Sequence, residues 1–187
     1  MTEFEYLSVL VSIIIGLGLS HLLSSTARLM QMRRRTRMYA PTLLWMGMLF
    51  LAHVQIWWAA FERRNADGWN FFSFVLFLLV PVCAYLLAYV LVPDLEGEDE
   101  VDLRASFHEN RPWFFVLLAA LPVVSLLQEY AWDGGVRPDA DAGFRVAFAV
   151  MAAAAARVRS DAFHLANVLI VLLLFCAYVF TLFLQLA

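Results

Sequence analysis

The stretch GLGLSHLLSSTARLMQMRRRTR, residues 16–37, joins the end of a long apolar run to a cluster of arginines. A helix needs about 20 apolar residues to cross the hydrocarbon core of a bilayer, and runs of this kind recur along the 187-residue chain. The composition is 63% hydrophobic and 16% charged, whereas a soluble domain carries about 25% charged residues. The sequence therefore predicts an all-α integral membrane protein, and the arginines mark the end of its first span.

The apolar runs divide the chain into about six predicted transmembrane helices, which form a single domain over residues 1–187. Loops rich in charged residues, glycine and proline separate most of them. The predicted spans are 5–29, 40–62, 69–92, 112–132, 143–158 and 161–186. The fifth is short and rich in alanine, so it is either a thin, centrally packed helix or a re-entrant segment.

Arginine counts predict the orientation of the bundle. Nine of the thirteen basic residues follow the first, third and fifth spans, and the other four lie on the opposite side. Because an excess of arginine in short loops marks the cytoplasmic face, we expect both termini to lie outside. Tryptophans fall near both predicted boundaries, where indole rings are favoured: Trp57, Trp58, Trp69 and Trp132 at the outer one, and Trp45 and Trp113 at the inner one.

The predicted cytoplasmic face carries both charge signs. Arg33, Arg34, Arg35 and Arg37 fix the topology and also suit contact with anionic lipid headgroups. Acidic residues between positions 94 and 102 are candidates to pair with them. The following residues predict a short amphipathic segment near 101–111 on the membrane surface, which Pro112 would end or bend into the fourth span.

Small residues recur every four positions in the first span and form a stripe along one helix: Ser8, Ser12, Gly16, Ser20 and Ser24. Small residues at this spacing let helix backbones approach closely, and in lipid such packing drives association. The stripe predicts a helix–helix contact, either inside the bundle or with another subunit. A lining of a pore or substrate path is the alternative.

The uncharged polar groups within the spans define a candidate intramembrane site: His21, His53, Gln55 and Tyr85. One hypothesis for the two membrane histidines is a b-type haem, whose iron binds axial imidazoles from facing helices. Their predicted depths differ by roughly 10 Å at 1.5 Å per residue, which argues against that pairing. The other interpretations are neutral imidazoles bonded to neighbouring groups, and imidazoles that contact a proton or solute.

Other candidates lie nearer the predicted boundaries. Glu129 and Arg145 are expected at the outer interface. The predicted spans therefore contain no carboxylate for an ion-pumping mechanism that needs one within the membrane. His164 and Asn167, three residues apart, are expected at the cytoplasmic interface, on a hydrated face or against a headgroup, partner or ligand. The sequence contains no nucleophile motif, P-loop, dinucleotide fingerprint or paired-histidine zinc helix. We therefore predict no catalytic residue and no metal site.

Three stretches carry a resemblance to known sequences: MTEFEYLSVLVSIIIGLGLSHLL, LAHVQIWWAAF and DLRASFHENRPWFF. Together they resemble a group of small, uncharacterised bacterial inner-membrane proteins with several spans. The resemblance implies a location in the bacterial inner membrane and supplies no activity, cofactor or site residue.

Three functions remain open from the sequence. The first is a non-enzymatic module, either a homo-oligomer or an accessory subunit of a larger membrane complex, with lipids and no nucleic acid as further partners. The second is a small transporter or channel for a neutral, lipophilic or anionic solute, with His21 and His53 near a midplane cavity. The third is a b-type haem protein.

Overall fold

The structure, a computed structural model, describes residues 3–65, 69–93 and 100–182. Six α-helices occur in these residues: α1 Glu3–Gln31, α2 Ala40–Ala60, α3 Phe71–Leu91, α4 Leu103–Asp133, α5 Ala140–Arg157 and α6 Asp161–Leu182. A 3₁₀-helix follows α2 over Phe61–Asn65, and two short strands precede α2 and α4: β1 Thr36–Arg37 and β2 Val101–Asp102. The prediction of an all-α bundle is confirmed. The acidic positions 94–99 and the predicted end of the sixth span, 183–186, lie outside the described residues.

Five of the six helices, all except α5, are long and apolar enough to cross a membrane. The chain is therefore a multi-pass membrane protein. α5 has 18 residues, or about 27 Å at 1.5 Å per residue, but it carries Asp141, Arg145 and Arg157. α5 nevertheless runs the length of the bundle. It begins beside the end of α4, and the helix that follows it, α6, begins beside the start of α4, where Arg104 donates to Asp161 at 2.8 Å.

The two ends of the bundle differ in composition. Residues 28–40, 100–111 and 157–164 form the arginine-rich end, and residues 57–65, 69–71 and 129–145 form the tryptophan-rich end. At the arginine-rich end β1 and β2 pair in parallel, with Thr36 opposite Val101 and Arg37 opposite Asp102. The Arg37 guanidinium lies 3.2 Å from the Asp102 carboxylate, so the predicted pairing of the arginine loop with an acidic residue occurs here.

α1 presents one face to α2 and α3. Its buried positions alternate in steps of four and three residues: Val11, Ile15, Gly18, Leu22, Ser25 and Leu29. This seven-residue repeat is the pattern by which one helix keeps a continuous seam against its neighbours. The internal contact of α1 therefore uses a different face from the predicted small-residue stripe.

The predicted surface segment near 101–111 is instead the start of α4, which continues through Pro112 to Asp133. Leu103 and Phe107 are 0% and 2% exposed because the bundle, rather than a lipid surface, covers their face. Burying two such side chains contributes roughly 1.5–3 kcal/mol each, against roughly 3 kcal/mol for a proline inside a helix. The helix therefore continues where the sequence predicted a break.

A second proline is accommodated by a neighbouring helix. Pro81 lies inside α3 and lacks the N–H that would bond to the carbonyl of Phe77, four residues earlier. The side-chain amide of Gln128 on α4 lies 3.4 Å from that carbonyl and donates at 2.8 Å to the carbonyl of Leu76. α3 and α4 are thus joined by a polar contact within an apolar interface.

Candidate functional site

His53 on α2 is enclosed by the bundle and faces α1. It is 0% exposed and donates its Nδ1–H to the carbonyl of Leu49 at 2.7 Å. A carbonyl only accepts, so in the neutral imidazole Nε2 is the unprotonated ring nitrogen, and it is buried with no hydrogen-bond partner among the described residues. Gly18 provides the space for this ring: a Cβ built at Gly18 would lie 2.7 Å from His53 Cδ2 and closer still to Nε2.

His21 belongs to a different group of rings. It stacks on Tyr89 of α3, with ring centroids 5.1 Å apart, and Tyr89 lies 6.3 Å from Tyr85. The structure therefore brings His21 near Tyr85, whereas His53 packs on Gly18. The ring and backbone contacts of the two histidines are thus with different neighbours: Tyr89 for His21, and Gly18 and Leu49 for His53.

This geometry gives the haem hypothesis no support at His53. An axial imidazole needs an accessible ring nitrogen. The His53 Nδ1–H is bonded to the Leu49 carbonyl, and Nε2 faces the backbone of Gly18 with too little space even for a methyl group. Among the described residues, no group of three or more His, Cys, Asp and Glu side chains is placed to hold a metal ion.

Gln55 lines two cavities inside the bundle. The first, of about 140 Å³, is apolar, with Trp45, Phe148 and Phe175 among its walls. The second, of about 160 Å³, lies toward the tryptophan-rich end, and both cavities are lined by Gln55, Ile56, Val80, Ser125, Arg145 and Tyr178. The shared walls make them two parts of one crevice, apolar at one end and polar at the other.

The polar end of this crevice contains a buried group of charges. Arg145 on α5 pairs with Glu129 on α4 at 2.6 Å and with Asp141 one turn earlier on α5. The side chains of Arg145 and Glu129 are only 15% and 10% exposed. Glu129 also accepts the backbone N–H of Arg137 at 2.9 Å. The sequence placed Glu129 and Arg145 at the interface, but their pairing lets them be buried.

His164 and Asn167 on α6 are also inside the bundle, with 0% and 2% exposure, rather than on a hydrated face. His164 donates Nε2–H to the carbonyl of Val158 at 2.9 Å, and its ring stacks on Phe115 at 5.6 Å. Both polar atoms of the Asn167 amide lack a hydrogen-bond partner among the described residues. Phe107 and Phe115 of α4 pack against the His164 ring, a contact that the sequence did not predict.

Asp161, the first residue of α6, joins three elements at the arginine-rich end. Its carboxylate accepts from Tyr39 at 3.0 Å, from Arg104 at 2.8 Å and from His108 at 2.8 Å. Burial and the bond to Asp161 raise the pKa of the Tyr39 hydroxyl above its usual value. Local spacing does not reveal this group, because the three partners of Asp161 are 53 to 122 residues away in the sequence.

Most of the predicted small-residue stripe is exposed, although its first two residues line a cavity with Trp57 and Trp58 of α2. Ser12, Gly16, Ser20 and Ser24 are exposed, and Ser8 is half-buried. A Cβ built at Gly16 meets no atom within 4 Å. Each step of four residues turns the stripe about 40° around the helix, so it moves progressively away from the seven-residue seam.

The arginines of the first loop are also on the surface. Arg33, Arg34, Arg35 and Arg37 are all exposed, as contact with lipid headgroups would require.

Comparison of the chain with family models, curated proteins and solved structures gives no match. The function must therefore be argued from the chain's own residues.

Proposed function

We propose that the chain is a non-enzymatic module of the bacterial inner membrane that assembles with a second copy of itself through the small-residue face of α1. A place as an accessory subunit of a larger complex is the variant of this proposal in which another protein supplies the facing helix. The proposed orientation has the arginine-rich end in the cytoplasm and both termini outside.

The position of the stripe is the observation that supports this function. The bundle already uses the seam of Val11, Ile15 and Gly18 for its own packing, and Gly16 and Ser20 remain exposed. In lipid the hydrophobic effect does not drive two helices together. Small residues instead allow the two backbones to approach closely, and this close packing drives helix association. The open space at Gly16 is where such a backbone would lie.

The test compares Gly16→Leu with Gly47→Leu. Both glycines are exposed and a Cβ built at either meets no atom within 4 Å, but Gly47 lies on α2, away from the stripe. Native mass spectrometry of protein purified in mild detergent should show the wild type and Gly47→Leu as multiples of 21.3 kDa. Gly16→Leu should be the monomer.

Ser20→Leu is the second variant and should behave like Gly16→Leu, since both side chains lie on the exposed stripe. A wild type that stays monomeric and copurifies with no other membrane protein would refute assembly through this face. So would a Gly16→Leu protein whose mass distribution matches that of the wild type.

A second candidate function rests on the crevice. Its walls suit a lipophilic molecule, and Arg145 at its polar end pairs with Glu129 and Asp141. Arg63 also lines the polar end, where its guanidinium lies 4.9 Å from the centroid of the Trp132 ring. The apolar walls favour a neutral, lipophilic solute, and Arg63 leaves an anionic solute as the alternative. Gln55 and Ser125 line both parts and supply the uncharged polar contacts.

Ser125→Phe would fill the crevice, and Val123→Phe, at an exposed position on the same helix, is its control. Extraction of the purified proteins followed by mass spectrometry should find a small molecule with the wild type and Val123→Phe but not with Ser125→Phe. Equal content in all three proteins, or no bound molecule in any, would count against this second function.

A further inference from the structure

Arg111, on α4 at the arginine-rich end, is a buried cation to which the described residues offer no counterion. It is 6% exposed, and its Nε and Nη1 have no hydrogen-bond partner among the described residues. Burial of an unpaired charge is expensive, and folded proteins compensate such groups with an acceptor of opposite charge. The described part of the chain supplies none to Arg111.

The carboxylates nearby are already engaged elsewhere. Asp161 accepts from Tyr39, Arg104 and His108. Asp102 accepts from two backbone N–H groups at the start of α4 and pairs with Arg37. The charged residue that acts electrostatically on Arg111 is Arg159, which has the same sign. Arg111 and Arg159 thus bring two positive charges to this end of the bundle, and the described residues form an ion pair with neither.

These two arginines line one pocket at the arginine-rich end. The pocket has a volume of about 460 Å³, and its walls are Asp102, Arg104, Ala105, His108, Glu109, Arg111 and Arg159. Arg104 pairs with Asp161, and Asp102 pairs with Arg37. The lining charges without an ion pair to another described residue are therefore Arg111, Arg159 and the exposed Glu109. The pocket therefore has an excess of positive charge. It lies at the end of the bundle, where lipid phosphates would be found.

We propose that this pocket binds a phosphate group, held by the guanidinium groups of Arg111 and Arg159. Guanidinium forks match phosphate oxygens geometrically, and charge-assisted hydrogen bonds to phosphate are the strong ones in proteins. The phosphate belongs either to the headgroup of an anionic phospholipid or to a free phosphate ion. The site does not depend on assembly through α1, and its residues differ from the arginines of the first loop.

The first experiment measures binding to the full-length protein in detergent. The probes are dihexanoyl phosphatidylglycerol, inorganic phosphate and, as an uncharged control, dihexanoylglycerol. Arg159→Gln is the main variant because Arg159 is exposed. Arg157→Gln is its matched control, because Arg157 is exposed at the same end and its guanidinium donates to the Ala153 carbonyl outside the pocket.

Arg159→Gln should weaken binding about tenfold or more, the loss expected for one charge-assisted contact, and Arg157→Gln should leave it unchanged. Binding of the phospholipid alone would identify a headgroup site, and binding of both phosphate probes would identify a site for the free ion. The proposal is overturned if neither phosphate probe binds, if the glycerolipid binds as well as they do, or if the two glutamine variants lose affinity equally.

The second experiment uses Arg111→Met and reads thermal stability. If a phosphate compensates the buried charge, the probe that binds should raise the melting temperature of the wild type and leave that of Arg111→Met unchanged. An equal rise in both proteins would overturn the role of Arg111. Should Arg111→Met fail to fold, Arg111→Lys, which keeps the charge but loses the fork, should bind the same probe more weakly than the wild type.

Discussion

Gly18→Ala is expected to destabilise the bundle although it adds a single methyl group to a helix. The new Cβ would lie 2.7 Å from His53 Cδ2 and closer still to Nε2, whereas Cβ atoms essentially never approach other atoms within 3.0 Å. One partner must therefore move by more than 0.3 Å, and His53 is 0% exposed and tied to the Leu49 carbonyl. Overpacking of this kind costs about 1–3 kcal/mol.

Gly16→Ala is the matched control because the two glycines are only two residues apart on α1, on opposite sides of the helix, and only Gly18 is buried. A Cβ at Gly16 meets nothing, so alanine there should be neutral or stabilise α1 by about 0.5–1 kcal/mol. The assay is unfolding in mixed micelles of increasing SDS content, followed by tryptophan fluorescence. Gly18→Ala combined with His53→Ala should be more stable than the sum of the two single changes predicts. A Gly18→Ala protein as stable as Gly16→Ala would refute the packing argument.

Three further predictions concern charge. A cysteine replacing the exposed Arg34, in a protein without its native cysteines, should react with an impermeant maleimide only after the inner membrane is opened; reaction in intact spheroplasts would reverse the proposed orientation. Arg145→Met should lower the free energy of unfolding by about 3–5 kcal/mol, since it leaves the carboxylate of Glu129 buried and unpaired; adding Glu129→Gln should recover much of that loss, and an unaltered SDS midpoint in Arg145→Met would contradict the burial. The backbone N–H groups of Ala105 and Arg104 and the nearby Arg37 lower the pKa of Asp102 below its usual 3.8. A lowered pKa stabilises the fold above the unfolded value, and that stability is lost as the pH falls through the folded value. The stability difference between wild type and Asp102→Asn should therefore be constant above about pH 5 and shrink below pH 3.8. If the stability difference between the two proteins stays the same down to the lowest pH tested, the charge of Asp102 does not stabilise the fold.

Hydrophobicity and loop charge are local properties of the sequence, and they were sufficient to predict that six helices form, although α4 begins at Leu103 rather than at the predicted 112. α2 and α3 occupy Ala40–Ala60 and Phe71–Leu91, close to the predicted 40–62 and 69–92. α5 satisfied the apolar pattern only in part, because Asp141 and Arg145 interrupt it. A spacing of four residues is typical of a helical ion pair, whereas the second partner of Arg145, Glu129, lies on another helix and is not identifiable from spacing.

The candidate site was harder to predict because burial depends on which helices meet. His21 and His53 were grouped as the membrane histidines, yet one stacks on Tyr89 and the other packs on Gly18. His164 was assigned to an interface from its position near a helix end, and α4 covers it. A sequence gives the depth of each residue in its own helix, whereas contact also requires the rotation of both helices and their neighbours in the bundle.

The two faces of α1 separate folding from assembly. Its seven-residue seam includes Gly18, where an added atom meets His53, and its four-residue stripe includes Gly16, where an added atom meets nothing. Since the packing density of a helical interior penalises even one methylene, Gly18 is constrained by the fold of a single chain. Gly16 has no such constraint inside the chain, and a glycine in a helix interior costs about 0.5–1 kcal/mol relative to alanine. That cost is recovered if a second helix packs on Gly16, so a larger residue there should reduce assembly without reducing the stability of the monomer.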